Sequence, residues 1–474
     1  MKKHSLTKIL GILLLLIVIT SFILNGRNDT KFFIGIMDIP YNFIQAVYYF
    51  FYLALFILFI GGFYGVLNEI PAYQKLIDNI STKLKPVSKR FIFIIILIFA
   101  IITSLTGITL PLLILVPFVI SIVLSLGYDK LVAISATIVS MMIGYIGGVF
   151  VTFFDPSAQS LITFESFVGI EKMFSNAFPK LLLLFAGSAL LIYYVNNHIK
   201  SVENKKVKYE LEEDSELKIN ELSSNYKKIK TWPIIVSLTL LFIILVLGLV
   251  PWNTLFEITI FEKFHTWITE LSIKDFAIIP NIFTSNLYAF GDWYKDGEAM
   301  TYMILCVLIL IFTIINAIAG KVKLNDLVHN FSEGMKKYLP TVGIIILSYT
   351  VLITAYKNGF FETIVASYGK FNYTISSLLT FLGCLLNVDM YYISSGVFSP
   401  ILNLITDDSV YTSVAMLFQG IYGIFSIIGP TSIILIFVLS YMNVPYTTWL
   451  RYIWRFILAL IVLLALVTLL IVLL

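Results

Sequence analysis

Two short polar segments interrupt apolar stretches of the chain, and their residue types suit the binding of small ions and carboxylates. They are 104–111, with the sequence SLTGITLP, and 394–400, with the sequence SSGVFSP. Glycine and proline break helices and free backbone groups, which can act as ligands beside serine and threonine hydroxyls. Helix N-termini favour anions, whereas carbonyl groups favour cations. The candidate ligands are Thr106, Gly107, Thr109, Ser394, Ser395 and Gly396.

The composition indicates where these segments lie. Of the 474 residues, 59% are hydrophobic and 13% are charged, whereas about 25% are charged in a soluble domain. Many apolar runs approach or exceed the ~18 residues that a bilayer span requires. We therefore expect an all-α polytopic membrane protein. Both cysteines, Cys306 and Cys384, lie in apolar segments, so neither a disulfide framework nor a thiolate metal site is expected.

The length of the first apolar tract requires an interruption. Residues 91–126 would form a helix of about 54 Å at ~1.5 Å per residue. This is too long for one crossing of ~30 Å and too short for two crossings with a turn. The chain should therefore break or turn back near 104–111. Freed backbone is tolerated at membrane depth only inside protein or beside a wet cavity, although a kink that merely packs helices is the alternative.

Matching motifs in the two halves also predict an internal repeat. TGITLP at 106–111 matches SGVFSP at 395–400, and GYIGGVFVTFFDPS at 144–157 matches GIYGIFSIIGPTS at 420–432. The basic residues that flank matching spans lie at opposite ends of the two copies. We therefore predict two inverted repeats with discontinuous or re-entrant helices at 104–111 and 394–400, an architecture that places a site between the broken helices.

Lysine and arginine clusters predict the orientation. They occur in 75–90, 200–230, 321–337 and 451–455, and such clusters stay cytoplasmic. A plasma-membrane protein with a cytoplasmic N-terminus follows. The predicted regions are a first span and external loop (1–42), repeat 1 (43–196), a cytoplasmic linker (197–231), connecting spans (232–320) with an external segment (251–298), and repeat 2 (321–474).

Few acidic residues fall near the predicted site. Asp389 precedes the second segment, and Asp155 follows the apolar run of repeat 1. An intramembrane acid costs roughly 2.5–3.5 kcal/mol to insert and is a functional candidate by default, although capping of a following helix is the alternative. We expect Asn387 and Asp389 to assist the second segment. Asp155, Thr431 and Ser432 complete the candidate ligands.

Several stretches resemble a known group of carriers. They are GGFYGVLNE at 61–69, LSLGYDKLVAISATIV at 124–139 and the C-terminal region from GVFSPILNLI onward. These are similar to the YfcC-like carriers of an ion transporter superfamily. Its relatives are the dicarboxylate uptake C carriers, the short-chain fatty acid carriers and the aminobenzoyl-glutamate transporters. The resemblance implies secondary transport of small carboxylates, amino acids or short peptides, driven by an ion gradient or by exchange.

The chain departs from this group at its charged positions. Ile108 and Thr109 follow Gly107 where these carriers often have an acidic pair, and the run before Pro430 lacks an aspartate. Ion binding would then depend on neutral oxygens. This favours Na⁺, near Thr106 and Ser395, or pure exchange over proton coupling.

Other functional classes fit the sequence less well. No zinc-protease, serine-hydrolase or nucleotide-binding motif is present, and the four histidines are scattered. No enzyme activity, cofactor or nucleic-acid partner is expected. The predicted function is secondary transport of a small carboxylate-bearing solute, either an amino acid or a dicarboxylate. A transport-inactive sensor or scaffold is the alternative, and a channel is a weaker one. A homodimer is one possible assembly.

Overall fold

The computed structural model describes residues 5–25, 34–155, 160–167, 177–204, 209, 229–273, 276–283, 287–291, 293–294, 297–356, 364–365, 369–386, 389–406 and 410–473. The helices are α1 (Ser5–Asn25), α2 (Asp38–Asn68), α3 (Pro71–Leu84), α4 (Ser88–Thr106), α5 (Val116–Ser125), α6 (Lys130–Ile146), α7 (Phe164–Phe167), α8 (Ala177–Glu203), α9 (Trp232–Leu249), α10 (Trp252–Phe256), α11 (Ile260–Glu270), α12 (Glu298–Ala319), α13 (Leu324–Tyr356), α14 (Tyr373–Leu386), α15 (390–402), α16 (Tyr411–Ile428), α17 (Ile433–Tyr441) and α18 (Tyr446–Leu473).

The fold is that of an all-α polytopic membrane protein, as the composition predicts. Within the described ranges, nine helical stretches are long and apolar enough to cross a membrane. Two antiparallel hairpins of short strands are the only sheets in these ranges: β1 (Thr152–Asp155) with β2 (Ser160–Thr163), and β3 (Ser272–Ile273) with β4 (Phe276–Ala277). Helix α8 continues to Glu203, inside the segment predicted as the linker 197–231.

Helices α2 and α13 pack against each other in opposite directions. Asn42 near the start of α2 donates a hydrogen bond to Thr354 near the end of α13, at 3.1 Å. Gly61 meets Gly334 so closely that a Cβ built on Gly334 would lie 2.3 Å from the Gly61 carbonyl oxygen. Small residues allow such backbone contact between membrane helices. The antiparallel arrangement is the one expected if these two spans correspond in inverted repeats, and the repeat itself stays a prediction.

The chain turns back after α4. Gly107 ends α4, a 3₁₀ turn over Leu110–Ile114 follows, and α5 then runs back. The Ser88 and Tyr128 hydroxyls are 2.8 Å apart, so the start of α4 lies beside the residues that follow α5. Residues 88–125 therefore form a re-entrant hairpin, called hairpin 1. Its tip at 107–109 falls within the predicted interruption 104–111.

Helices α14 and α15 form a second hairpin, called hairpin 2 (373–402). A Cβ on Gly383 would lie 2.7 Å from the Val397 side chain and 3.0 Å from the Ile393 side chain, so the two arms are antiparallel. The expected interruption at 394–400 is not found there, because α15 is helical throughout and contains a π-helical turn at Ser394–Phe398. The wider π-turn accommodates Pro400, which lacks an N–H. The chain instead leaves the helix before Asp389.

Two further interruptions lie inside apolar stretches. Helix α6 ends at Ile146, next to Gly147 and Gly148, and β1 follows. Helices α16 and α17 are separated by 429–432, where Gly429 and Ser432 adopt extended backbone. These breaks belong to the second pair of repeat motifs. Together with the two hairpin tips, they give four places at which helix ends lie within apolar surroundings.

The glycine contact between α2 and α13 can be tested by substitution. Gly334→Leu forces a side chain into the Gly61 backbone, and overpacking of this kind costs about 1–3 kcal/mol or more. We expect much less monodisperse protein in fluorescence-detected size-exclusion chromatography and a lower apparent Tm. Gly343→Leu on the same helix is the control, because a Cβ there meets nothing within 4 Å. Equal behaviour of the two variants would contradict the packing described.

Candidate binding cavity

A cavity of about 130 Å³ lies where the interrupted helices meet. Its walls come from both halves of the chain. The first half contributes the tip of hairpin 1 and the end of α6, and the second half contributes the tip of hairpin 2 and the junction of α16 with α17. The lining residues are Gly107, Ile108, Thr109, Leu110, Pro111, Met142, Tyr145, Phe153, Tyr294, Glu298, Tyr302, Asp389, Met390, Tyr391, Tyr422, Ser426, Ser432, Ile433 and Ile434.

Hairpin 1 contributes backbone groups to the cavity. Gly107 adopts the left-handed conformation with φ of 68°, and its N–H donates to the Thr103 carbonyl at 2.9 Å. Glycine is the usual residue at such a helix end, because a Cβ is disfavoured there. Thr109 then starts the 3₁₀ turn. The residues that make the turn at this tip therefore face the cavity.

The junction of α16 and α17 contributes a helix N-terminus. The Ser432 Oγ accepts a hydrogen bond from the Leu435 N–H at 3.4 Å and donates one to the Ser426 carbonyl at 2.7 Å. The next residues, Ile433 and Ile434, line the cavity. The first N–H groups of a helix have no intrahelical acceptor, so this end presents partial positive charge to the cavity.

Hairpin 2 places a carboxylate at its tip. Asp389 is the N-cap of α15, and its Oδ1 accepts a hydrogen bond from the Tyr392 N–H at 3.4 Å. The predicted capping role is therefore present, and the same residue also lines the cavity. Asp389 is half-buried, which suits a side chain at the wall of a wet cavity.

A second carboxylate, Glu298, was not among the residues that the sequence singled out. It is the first residue of α12 and lines the cavity, and the Tyr52 hydroxyl lies 3.4 Å from its Oε2. It lies close enough to Asp389 for their charges to interact. The available signal was its position, because Glu298 directly precedes an apolar run, 299–319, without a charged residue. No local motif distinguishes it.

A glutamine holds the first-half and second-half breaks together. Gln419 on α16 donates from Nε2 to the carbonyls of Tyr145, Ile146 and Gly148, at 2.8, 3.2 and 3.1 Å. These carbonyls lie at and beyond the end of α6, where helical acceptors lose their partners. Buried backbone groups need such partners in an apolar environment. Gln419 thus stabilises the interruption that places Tyr145 beside the cavity.

Four of the predicted ligands line this cavity: Gly107, Thr109, Asp389 and Ser432. Thr106 does not. Its hydroxyl donates to the Ile102 carbonyl at 2.7 Å and accepts from the Ile108 N–H at 3.2 Å, as part of the helix end. Thr106 lines a separate cavity of about 260 Å³, whose other lining residues are apolar.

The hydroxyls of the second polar segment lie away from the cavity lining. Ser394 is fully buried, and Ser395 donates to the Tyr391 carbonyl at 2.9 Å, as a helical serine often does. Gly396 packs near the ring of Tyr356. Their position follows from the continuous helix α15, which keeps them on its returning arm. The expected Na⁺ site near Thr106 and Ser395 is therefore not formed by the cavity described here.

The remaining predicted ligands are not among the described residues that line the cavity. Thr431 donates from Oγ1 to the Leu385 carbonyl at 3.2 Å and thereby joins the α16–α17 junction to the tip of hairpin 2. Asp155 ends β1 and pairs with Ser160 in the strand register. Its side chain lies outside the described part of the structure, and so does the whole of Asn387.

Loss of the Gln419 amide should destabilise the breaks. Gln419→Leu removes the side-chain donor from three buried carbonyls, of which that of Tyr145 keeps the Gly148 N–H as a donor, at 3.0 Å. A single unsatisfied buried group costs about 1–3 kcal/mol. We expect a clearly lower apparent Tm in detergent than for the wild-type protein. Gln74→Leu is the control, because Gln74 donates to one exposed carbonyl, that of Asn68. If Gln419→Leu melts like this control, the amide does not hold the breaks.

A family model described as the C4-dicarboxylate anaerobic carrier matches residues 5–473. No curated protein sequence matches the chain. Two solved structures align at low similarity. The YdaH transporter of Alcanivorax borkumensis has 12% identity over 98% of both chains with a TM-score of 0.40. MtrF of Neisseria gonorrhoeae, described as one of a class of antimetabolite efflux pumps, has 14% identity over 97% of this chain and 94% of its own, also with a TM-score of 0.40.

The family match covers nearly the entire chain, including every residue that lines the cavity. The polytopic helical fold agrees with a carrier, and so does the cavity between interrupted helices. The resemblance indicated by the sequence is therefore confirmed at the level of the family. The chain belongs to the C4-dicarboxylate anaerobic carrier family.

Proposed function

We propose that the chain is a secondary active transporter, a symporter or an exchanger, of small carboxylate-bearing solutes such as amino acids or dicarboxylates. The observation that carries the proposal is the cavity formed by interrupted helices from both halves of the chain. Broken helices within a membrane protein are costly unless their freed groups serve a site. The family description, which names C4-dicarboxylates, supports a solute with a carboxylate.

The N-terminus of α17 is the proposed seat of the solute carboxylate. Its N–H groups at Ile433 and Ile434 are among the first of the helix and lie at the cavity wall. An anion at a helix N-terminus is stabilised by about 0.3–1 kcal/mol at exposed sites and by more in partly buried ones. Gly107 at the facing tip of hairpin 1 lets the backbone approach the solute closely.

The negative charge of the two cavity carboxylates restricts how a carboxylate-bearing solute can be transported. Glu298 and Asp389 both line the cavity, and they would repel an anionic solute that entered alone. Transport of a carboxylate therefore requires a positive charge nearby, carried either by a coupling ion such as Na⁺ or by the solute itself. Symport with Na⁺ satisfies this requirement, and so does exchange of solutes that carry their own positive charge, and we keep both in the proposal.

The site is shared between the two halves, which suits alternating access. Hairpin 1 and α6 form one side, and hairpin 2 with the α16–α17 junction forms the other. Movement of one half against the other would expose the cavity to either side of the bilayer in turn. We also propose that the protein lies in the plasma membrane, that its N-terminus is cytoplasmic and that it assembles as a homodimer. The basic clusters support the orientation.

Counterflow in proteoliposomes tests the proposal as a whole. Liposomes loaded with an unlabelled amino acid or dicarboxylate should accumulate the labelled solute in a saturable manner. Voltage-driven unitary currents would instead indicate a channel. Absence of both, with well-folded protein, would indicate a scaffold or sensor and overturn the proposal.

Asp389→Asn tests the cavity as the site of transport. Asparagine caps helices as well as aspartate does, so α15 should remain intact while one charge is lost. A hydrogen bond to a charged group contributes about 1.5–3 kcal/mol, which corresponds to about 10- to 100-fold slower counterflow. The measurement is initial counterflow rate per amount of folded protein.

Asp129→Asn is the matched control for that variant. Asp129 also caps a helix, accepting from the Val132 N–H at 2.9 Å, and it pairs with His198 outside the cavity lining. We expect a counterflow rate close to that of the wild-type protein. Equal losses in both variants would show that Asp389 acts through stability and not through the solute.

A further inference from the structure

We infer that the cavity selects solutes with a protonated amino group, so that its substrates are amino acids, with the ammonium group bound by Glu298 and Asp389. The inference rests on the proposed transport function and narrows its substrate class. It follows from the charge of the cavity, from its aromatic walls, from one unpartnered hydroxyl and from the helix end at the cavity wall.

The charged groups of the lining have one sign. Glu298 and Asp389 are its two acids, and no lysine, arginine or histidine is present among the described lining residues. Both carboxylates are half-buried and line the same cavity. A partly desolvated pair of like charges favours a positive group between them. A solute with only carboxylates would instead be repelled.

Aromatic rings surround these carboxylates. Tyr52 and Tyr302 stack with their ring centroids 5.6 Å apart, and Tyr52 places its hydroxyl 3.4 Å from Glu298. Tyr145 and Tyr422 pack at 5.1 Å on another part of the lining. Ring faces attract ammonium groups, and aromatic cages with acidic groups are a common way to bind organic cations. The combination fits an amino group.

A buried hydroxyl provides independent evidence for a ligand. Tyr145 is only 4% exposed and lines the cavity, and its hydroxyl has no hydrogen-bond partner among the described residues. It also lies within electrostatic range of Asp389. Buried hydroxyls in native proteins almost always have a partner. A bound amino group, which has several N–H donors, supplies the missing partner.

The helix end at the cavity wall suits the carboxylate of the same solute. The nine-residue helix α17 begins there, with Ile433 and Ile434 at the wall. An α-amino acid carries its ammonium and carboxylate groups on one carbon, so a small cavity can contact both.

Paired solutes that differ only in the amino group test the inference. The probes are L-alanine with propionate, L-aspartate with succinate, and L-glutamate with glutarate. Wild-type protein should catalyse counterflow of at least one amino acid about 10-fold or more faster than its des-amino partner, as expected of a site whose polar groups need the missing donor. Equal or faster counterflow of the des-amino partners would overturn the inference and leave the proposed transport function intact.

Substitutions then assign the selectivity to the carboxylates. Glu298→Gln should reduce the ratio between an amino acid and its des-amino partner to less than about 3-fold. Glu270→Gln, at an exposed position on α11, should keep the wild-type ratio. An unchanged ratio in Glu298→Gln would contradict the role of the carboxylate. A loss of Na⁺ stimulation with that ratio unchanged would assign the carboxylate to a coupling ion and also overturn the inference.

Tyr145→Phe provides a variant that conserves shape. It removes only the unpartnered hydroxyl, so the protein should fold as the wild type does by size-exclusion chromatography. We expect a smaller thermal shift with the amino acid and an unchanged shift with its des-amino partner. Equal changes for both solutes would argue against amino-group recognition. If wild-type protein transports none of the six solutes, both the proposed function and this inference fail.

Discussion

Every buried backbone N–H and C=O group needs a hydrogen-bond partner, and this constraint governs the structure. Helices satisfy their own N–H and C=O groups in an apolar environment, and each interruption frees several. The breaks at Gly107, before Asp389 and at 429–432 all lie around one cavity, and Gln419 satisfies the carbonyls at the end of α6. The cost of these breaks is offset locally by side chains, and the groups that remain free face the cavity.

The interrupted elements accompany a pair of long helices that pack against each other. Helices α2 and α13 contact through glycines and have 31 and 33 residues, with a kink at Phe50 in α2 and with Pro340 inside α13, whereas the chain turns back after α4. Tyr52 of α2 reaches Glu298 at the cavity, so this helix pair and the cavity are in direct contact.

The sequence predicted the fold class and one of the two hairpin tips, for physical reasons that differ between residues. The break at Gly107 was predicted because the apolar tract 91–126 is too long for one membrane crossing and too short for two crossings with a turn. The second break was misplaced because Ser-Ser-Gly with Pro400 has the composition of a helix break, whereas a π-turn absorbs the proline. Glu298 was missed because its role depends on contacts with residues far away in sequence, and no local pattern encodes them.

Protection of introduced cysteines tests whether solute binds among the ends of the interrupted helices. Thr109→Cys and Ile434→Cys place thiols in the cavity lining, one on hairpin 1 and one on α17, while native Cys306 and Cys384 are buried. A water-soluble thiol reagent should label both positions, and saturating transported solute should slow labelling of both. Labelling that is unaffected by solute at both positions, in protein that still catalyses counterflow, would contradict this binding site.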